Sequence, residues 1–160
     1  MTNRLMFIHG LEGSSQGVKA RLLREIFPEM LIPDFCGNLD ARMEKLYKII
    51  GDQRGWTLVG SSFGGLVAAI AGCEKPAQFV KLVLLAPALI WPDFADASWQ
   101  PIQIPVVIYH GSEDELIPLK DVQAIAQRAF LNLDFNVVRD DHGLYRTALN
   151  LDWNKILLDI

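Results

Sequence analysis

The chain has little cysteine and no metal-ligand spacing. Its two cysteines, Cys36 and Cys73, are too few for a disulfide framework. They read as reduced, largely buried thiols. There is no C-x-x-C and no H-x-x-x-H, and the three histidines, His9, His110 and His142, lie far apart. A metal site therefore has no support. No cluster of lysine and arginine is present and the formal net charge is −4, which argues against a nucleic-acid partner and against anionic membrane surfaces. The longest apolar stretch, Phe79 to Trp91, is broken by Lys81 and Pro87, so no membrane insertion is expected. The apolar run ahead of His9 is too short for a signal-peptide core, and the cytoplasm is the expected location. Repeats, low-complexity tracts and interdomain linkers are absent, and nothing signals an oligomeric state.

What is present is a core-forming composition. Of 160 residues, 51% are apolar and 21% charged, as in a single globular domain over residues 1–160. Apolar runs alternate with helical patterns from end to end. Strands are expected at 4–9, 30–35 (a weaker one), 56–60, 81–86, 105–110 and 135–139. Helices are expected at 18–27, 41–50, 63–73, 119–130 and 144–158. Pro118 sits where a first helical residue would. Continuous apolar strands alternating with helices imply an α/β three-layer sandwich, with a mostly parallel sheet of about six strands covered on both faces. The connection 87–104, rich in Pro, Trp and Asp, has no helical period and is a candidate lid or loop.

Gly60-Ser61-Ser62-Phe63-Gly64 reads G-x-S-x-G, the pattern of a nucleophile at a sharp strand-to-helix turn. It lies between the apolar run Trp56–Val59 and the small, apolar helical run that follows. Gly60 and Gly64 give that turn room. A serine nucleophile needs a base, and the base an orienting acid. In the strand–turn–helix site type that this motif marks, the chain order is Ser, then acid, then His. His110 precedes every acid near it, so only His142, just past the last strand, can come last. The loop Ser112-Glu113-Asp114-Glu115 offers three carboxylates, with Asp141 as a further candidate beside His142. Local sequence leaves that choice open, with Asp114 the middle position. Acyl transfer also needs donors for an oxyanion. The N–H of Phe63, after the nucleophile, is one candidate. The N–H of Leu11, in the loop His9-Gly10-Leu11-Glu12-Gly13 after the first strand, is the other. His9 and Gly10 shape that loop.

The H-G-L-E-G-S-S opening, the V-G-S-S-F-G-G turn, the segment H-G-S-E-D-E-L-I-P and the ending D-D-H-G together resemble the α/β-hydrolase superfamily over nearly the whole chain. The resemblance implies a minimal α/β-hydrolase fold without a cap domain, similar to the compact esterases of the YqiA type. That type's opening often has an aromatic where this chain has Leu11. Many members carry the acid in G-x-x-D-x-x-V-P, which maps it onto Asp114. Implied with it are Ser62 as nucleophile, His142 as base and Leu11 and Phe63 as oxyanion donors. The substrate would be a small-molecule acyl ester or thioester, with no metal or organic cofactor.

Two other readings compete. The glycines Gly10, Gly13 and Gly17 with Asp34 suggest a dinucleotide-binding unit, but the spacing is G-x-x-G-x-x-x-G. A non-catalytic ligand-binding or interaction module on the same fold would keep these residues without the chemistry. Trp91, Phe94 and Trp99 either line an acyl pocket or seal the edge of the core.

Overall fold

The computed structural model describes residues 3–159. Strands β1 (Arg4–Ile8), β2 (Trp56–Ser61), β3 (Phe79–Leu85), β4 (Val106–Gly111) and β5 (Leu133–Val138) form one sheet in chain order. Every neighbouring pair is parallel. Among the described residues the sheet thus has five strands and not six. The segment 30–35 runs beside the free edge of β1 but joins it only at Leu31. There Phe7 N–H donates to Leu31 O (2.9 Å) and Leu31 N–H to Leu5 O (3.0 Å). The ladder stops because Pro33 has no N–H to extend it. Two residues on, the Phe35 N–H is given to the His9 ring instead.

This edge segment sets the layering. The chain leaves β1 through α1 (Val18–Ile26) towards the edge, then returns through α2 (Leu39–Ile50) to β2 on the other side of β1. Right-handed crossovers in opposite directions put their helices on opposite faces. Accordingly Met43, Leu46 and Ile50 of α2 pack with residues of α3 (Phe63–Glu74) and α5 (Leu119–Ala129) against Met6, Ile8 and Leu58. Ala20 and Leu23 of α1 pack with Trp153 and Leu157 against Phe7, Val59 and Val83. Alternate strand residues thus serve two cores, as the two-residue period of a strand requires. The reversal at β1 creates a crevice at the carboxyl ends of β1 and β2, the usual ligand position in open α/β sheets.

The expected closing helix is two helices, α6 (Tyr145–Asn150) and α7 (Trp153–Leu158). Asp152 breaks the run by capping α7, its carboxylate accepting the Lys155 N–H at 3.1 Å. Pro118 precedes α5 as its cap residue instead of opening it. The 87–104 connection holds one helical turn, α4 (Pro92–Ala95), and no inserted domain. Its aromatics divide. Phe94 is 1% exposed, and Trp99 stacks on it at 5.4 Å while donating its indole N–H to Phe94 O. Those two seal the core. Trp91 is 42% exposed and stands edge-on to Phe63 at 5.3 Å. Cys36, expected to be buried, is exposed in the turn that leads into α2, and Cys73 is half-buried. Among the described residues no helix is long and apolar enough to cross a membrane.

Candidate active site

Ser62 sits between β2 and α3 with φ 55° and ψ −114°. Positive φ is costly for a residue with a Cβ, so neighbouring structure must hold it. Its N–H donates to Leu85 O (2.9 Å), and its carbonyl accepts from Gly65, Leu66 and Ala88 N–H groups (3.0–3.2 Å). The turn is thereby tied to the end of β3 and to the first turn of α3. The flanking glycines are needed for close approach. A Cβ on Gly64 would lie 2.0 Å from Ile8 O, and one on Gly60 would lie 2.4 Å from Gly64 O.

Ser62 Oγ lies 2.9 Å from His142 Nε2, and His142 Nδ1 lies 2.8 Å from Asp114 Oδ2. The Asp114 side chain is fully buried, whereas that of His142 is 22% exposed. The other carboxylate oxygen of Asp114 accepts the N–H groups of Leu116 (2.9 Å) and Ile117 (2.8 Å). An acceptor beside Nδ1 selects the tautomer with its proton there. Nε2 is then free to accept from the serine hydroxyl. The rival acids lie elsewhere. Glu113 is exposed and stands 3.7 Å from Arg139, and Glu115 is exposed. Asp141 accepts the Gly143 N–H at 3.0 Å.

The second histidine is also in the site, although the order of acid and base along the chain left it without a role. His110, at the end of β4, is fully buried. Its Nε2 lies 2.9 Å from Ile117 O and 3.4 Å from Asp114 Oδ2. Between two oxygens that nitrogen carries the hydrogen. Burial lowers the His110 pKa, against the opposing pull of Ile117 O and Asp114, and so favours the neutral ring. His110 thus braces the loop that presents Asp114. Its position closing a strand, four residues before an acid, was the available signal.

The His142 loop is fastened from two directions. Burial would raise the Asp140 pKa, but hydrogen bonds from Thr147 and the Asp141 N–H outweigh it and hold that carboxyl below its usual range. From α1, Lys19 Nζ donates to Gly143 O at 2.6 Å and lies 4.5 Å from the Tyr145 ring centre. Desolvation lowers the Lys19 pKa, with Asp140 and Asp141 opposing. Lys19 carried no sequence signal, being one charge on an amphipathic helix.

Gly10 packs against the elbow; a Cβ there would lie 3.5 Å from Ser62 Cβ. His9 Nδ1 lies 2.7 Å from Gly10 O, and His9 Nε2 accepts the Phe35 N–H at 2.9 Å. The Phe35 donor fixes the ring as the Nδ1–H tautomer. Gly13 N–H also donates to Gly10 O, at 3.1 Å. Gly10 C=O and Leu11 N–H belong to one trans peptide, so holding the carbonyl orients the N–H on the opposite side. Among the described residues the N–H groups of Leu11 and Phe63 have no protein acceptor. Beyond His142 opens a cleft of about 650 Å³ lined by Glu113, Glu115, Leu116, Asp141 and Tyr145. Asp34, the acid of the dinucleotide reading, is taken up by Ser15, which donates its N–H (2.7 Å) and hydroxyl (3.0 Å) to the carboxylate. Those bonds hold the Asp34 pKa below its ordinary value.

Neither a protein-family model nor a curated relative matches the chain by sequence. Solved structures match it by shape. A protein of the α/β-hydrolase superfamily from Xanthomonas campestris superposes with a TM-score of 0.81 at 24% identity, covering 99% of this chain and 98% of that one. Mouse alpha/beta hydrolase domain-containing protein 10 gives 0.82 at 19% identity, covering 99% and 90%. Est1E from Butyrivibrio proteoclasticus, solved with ferulic acid bound, gives 0.77 at 16%, covering 99% and 90%. The chain therefore has the α/β-hydrolase fold, in a compact form with a five-stranded parallel sheet.

Proposed function

We propose that the protein is a serine hydrolase that cleaves small-molecule carboxylic esters or thioesters through an acyl-enzyme on Ser62. One observation carries this reading: the unbroken hydrogen-bonded line Ser62–His142–Asp114, with spacings of 2.9 and 2.8 Å. Ser62 Oγ attacks the acyl carbonyl carbon while His142 Nε2 takes its proton. The carbonyl oxygen becomes an oxyanion that the Leu11 and Phe63 N–H groups receive. The tetrahedral species collapses, the bond to the leaving oxygen or sulfur breaks, and His142 returns the proton to it. Water, activated by the same imidazole, then releases the acid and restores Ser62. Asp114 keeps the ring oriented and stabilises its charged form throughout. Each oxyanion donor contributes about 2.7–4 kcal/mol to such a step. No metal or organic cofactor enters this sequence. Ferulic acid, bound by Est1E, is itself a carboxylic acid, in keeping with a carboxylic acyl group here. Two free cysteines suit a reducing compartment, and the cytoplasm is the proposed location.

The competing reading is a non-catalytic module on the same fold. A fluorophosphonate probe separates them, since it reacts only with an activated serine. The hydrolase is labelled at Ser62 and loses labelling in Ser62→Ala. An unlabelled wild-type chain would favour the binding module. Esterase activity that stays undiminished well below about pH 5 would displace the imidazole from its role.

A further inference from the structure

Arg42 is a charged residue on the buried face of α2, only 4% exposed. It falls four and eight residues before Leu46 and Ile50, so it lies on the same apolar stripe. Its Nε–H donates to Gly37 O at 3.0 Å and its Nη2 to Leu11 O at 3.3 Å. Its Cζ stands 5.3 Å from the centre of the Phe63 ring. Its Nη1 is buried and, among the described residues, has no hydrogen-bond partner.

A buried guanidinium is normally matched by a carboxylate. Among the described residues no carboxylate lies within ion-pair distance of Arg42. The cation touches instead the two residues whose N–H groups receive the oxyanion. It grips one by its carbonyl and lies against the ring of the other. The negative charge that forms at that place during acyl transfer is the counter-charge the resting protein lacks. An arginine suits this position because it stays charged when buried and offers several donors in a rigid plane. The Phe63 ring is also in contact with Trp91, edge-on at 5.3 Å.

We propose that Arg42 is a positioning residue of the oxyanion hole, fixing Leu11 against Phe63 and adding an uncompensated positive charge behind them. This rests on the serine-hydrolase reading of Ser62. Arg42 does not contact substrate; it acts through the two donors, so its contribution appears in the transition state and not in ground-state binding.

The test compares wild type with Arg42→Met, Arg42→Lys and Ser62→Ala. It uses a short acyl ester together with phenylboronic acid, whose serine adduct is an anionic tetrahedral mimic. Arg42→Met keeps the length but loses charge and donors. It is expected to lower kcat by about 10–100-fold, less than the full loss of a donor, with KM within about threefold. Boronate affinity falls by a similar factor. Arg42→Lys keeps the charge without the planar fork and recovers part of both losses. A folded Arg42→Met with kcat and boronate affinity within about twofold of wild type overturns the proposal. So does a loss confined to KM. Should Arg42→Met fail to unfold cooperatively, Arg42→Lys decides, and kcat and boronate affinity within about twofold of wild type in that variant overturn the proposal. Wild type that neither turns over the ester nor binds the boronate removes the hydrolase reading and this proposal with it. An active wild type with indifferent Arg42 variants removes only the latter.

Discussion

Ser62 Oγ and His142 Nε2 meet at 2.9 Å although 80 residues of chain separate them. They arise from β2 and β5, with β3 and β4 between. Three strand spacings amount to about 14 Å, so the loop after β5 must reach back across the sheet. Asp140 and Lys19 hold it there, one from within the loop and one from α1. The geometry of the candidate site is thus a property of loop anchorage as much as of the strands.

The acid is singled out by contact, and its removal gives a ranking. Asp114→Asn places an amide nitrogen beside His142 Nδ1 and favours the wrong tautomer. A drop in turnover of about 10⁴-fold is expected. Glu113→Gln and Glu115→Gln, whose carboxylates do not reach the ring, stay within a few-fold of wild type. Steady-state kinetics on one acyl ester checks this, and the reverse order would move the acid role.

The strained turn at Ser62 predicts a trade between stability and activity. Ser62→Gly and Ser62→Ala should both be inactive. Glycine tolerates φ 55° where alanine does not. Relief of that strain is offset in part by the greater freedom of glycine in the unfolded chain. The Gly variant should therefore be the more stable by about 1 kcal/mol. Urea titration of the two inactive variants measures the difference; equal midpoints would mean the turn stores no strain.

His110 gives a pH dependence whose sign follows from burial. Its folded pKa lies below the value of 6.5 for a free ring. As pH falls, the unfolded chain therefore takes up the proton first. The stabilisation from the neutral buried ring is full above about pH 6.5 and is lost as pH drops towards the folded pKa. His110→Gln retains an N–H at the same reach but does not titrate. Denaturation at pH 7.5 and 5.5 should show a steeper loss for wild type, by up to about 1.4 kcal/mol per pH unit. Parallel losses in both proteins would contradict the assignment.

The cleft beyond His142 carries three carboxylates, Glu113, Glu115 and Asp141. His142 protonates the leaving group in the proposed mechanism, so that group sits beside this wall. Esters of neutral alcohols should be turned over faster than thioesters with polyanionic leaving groups. The preference should shrink in Glu113→Gln/Glu115→Gln and at high ionic strength. A preference indifferent to salt and to both substitutions would point to shape, not charge.

Much of this molecule was legible because local rules wrote it. The alternation of apolar runs and helical stripes marked all five strands. The glycines flanking Ser62 announced a close approach that the distances to Ile8 O and Gly64 O make plain. Residues 30–35 read as a strand because their apolar content is that of one; the missing N–H of Pro33 and the diversion of the Phe35 N–H to His9 decided otherwise. Asp152 ended a helix that periodicity alone would have continued.

The sequence by itself determined the order of elements, the sharp turn at Ser62 and a short set of residues from which a site could be built. Those follow from side-chain size, periodicity and the backbone freedom of glycine, which act over a few residues. The tertiary structure alone decided that Asp114, and not Glu113, Glu115 or Asp141, faces His142. It also buried His110 beneath that loop and set Arg42 against Leu11 and Phe63. The direction of a side chain depends on partners brought together from distant parts of the chain, and spacing along the sequence carries no record of them.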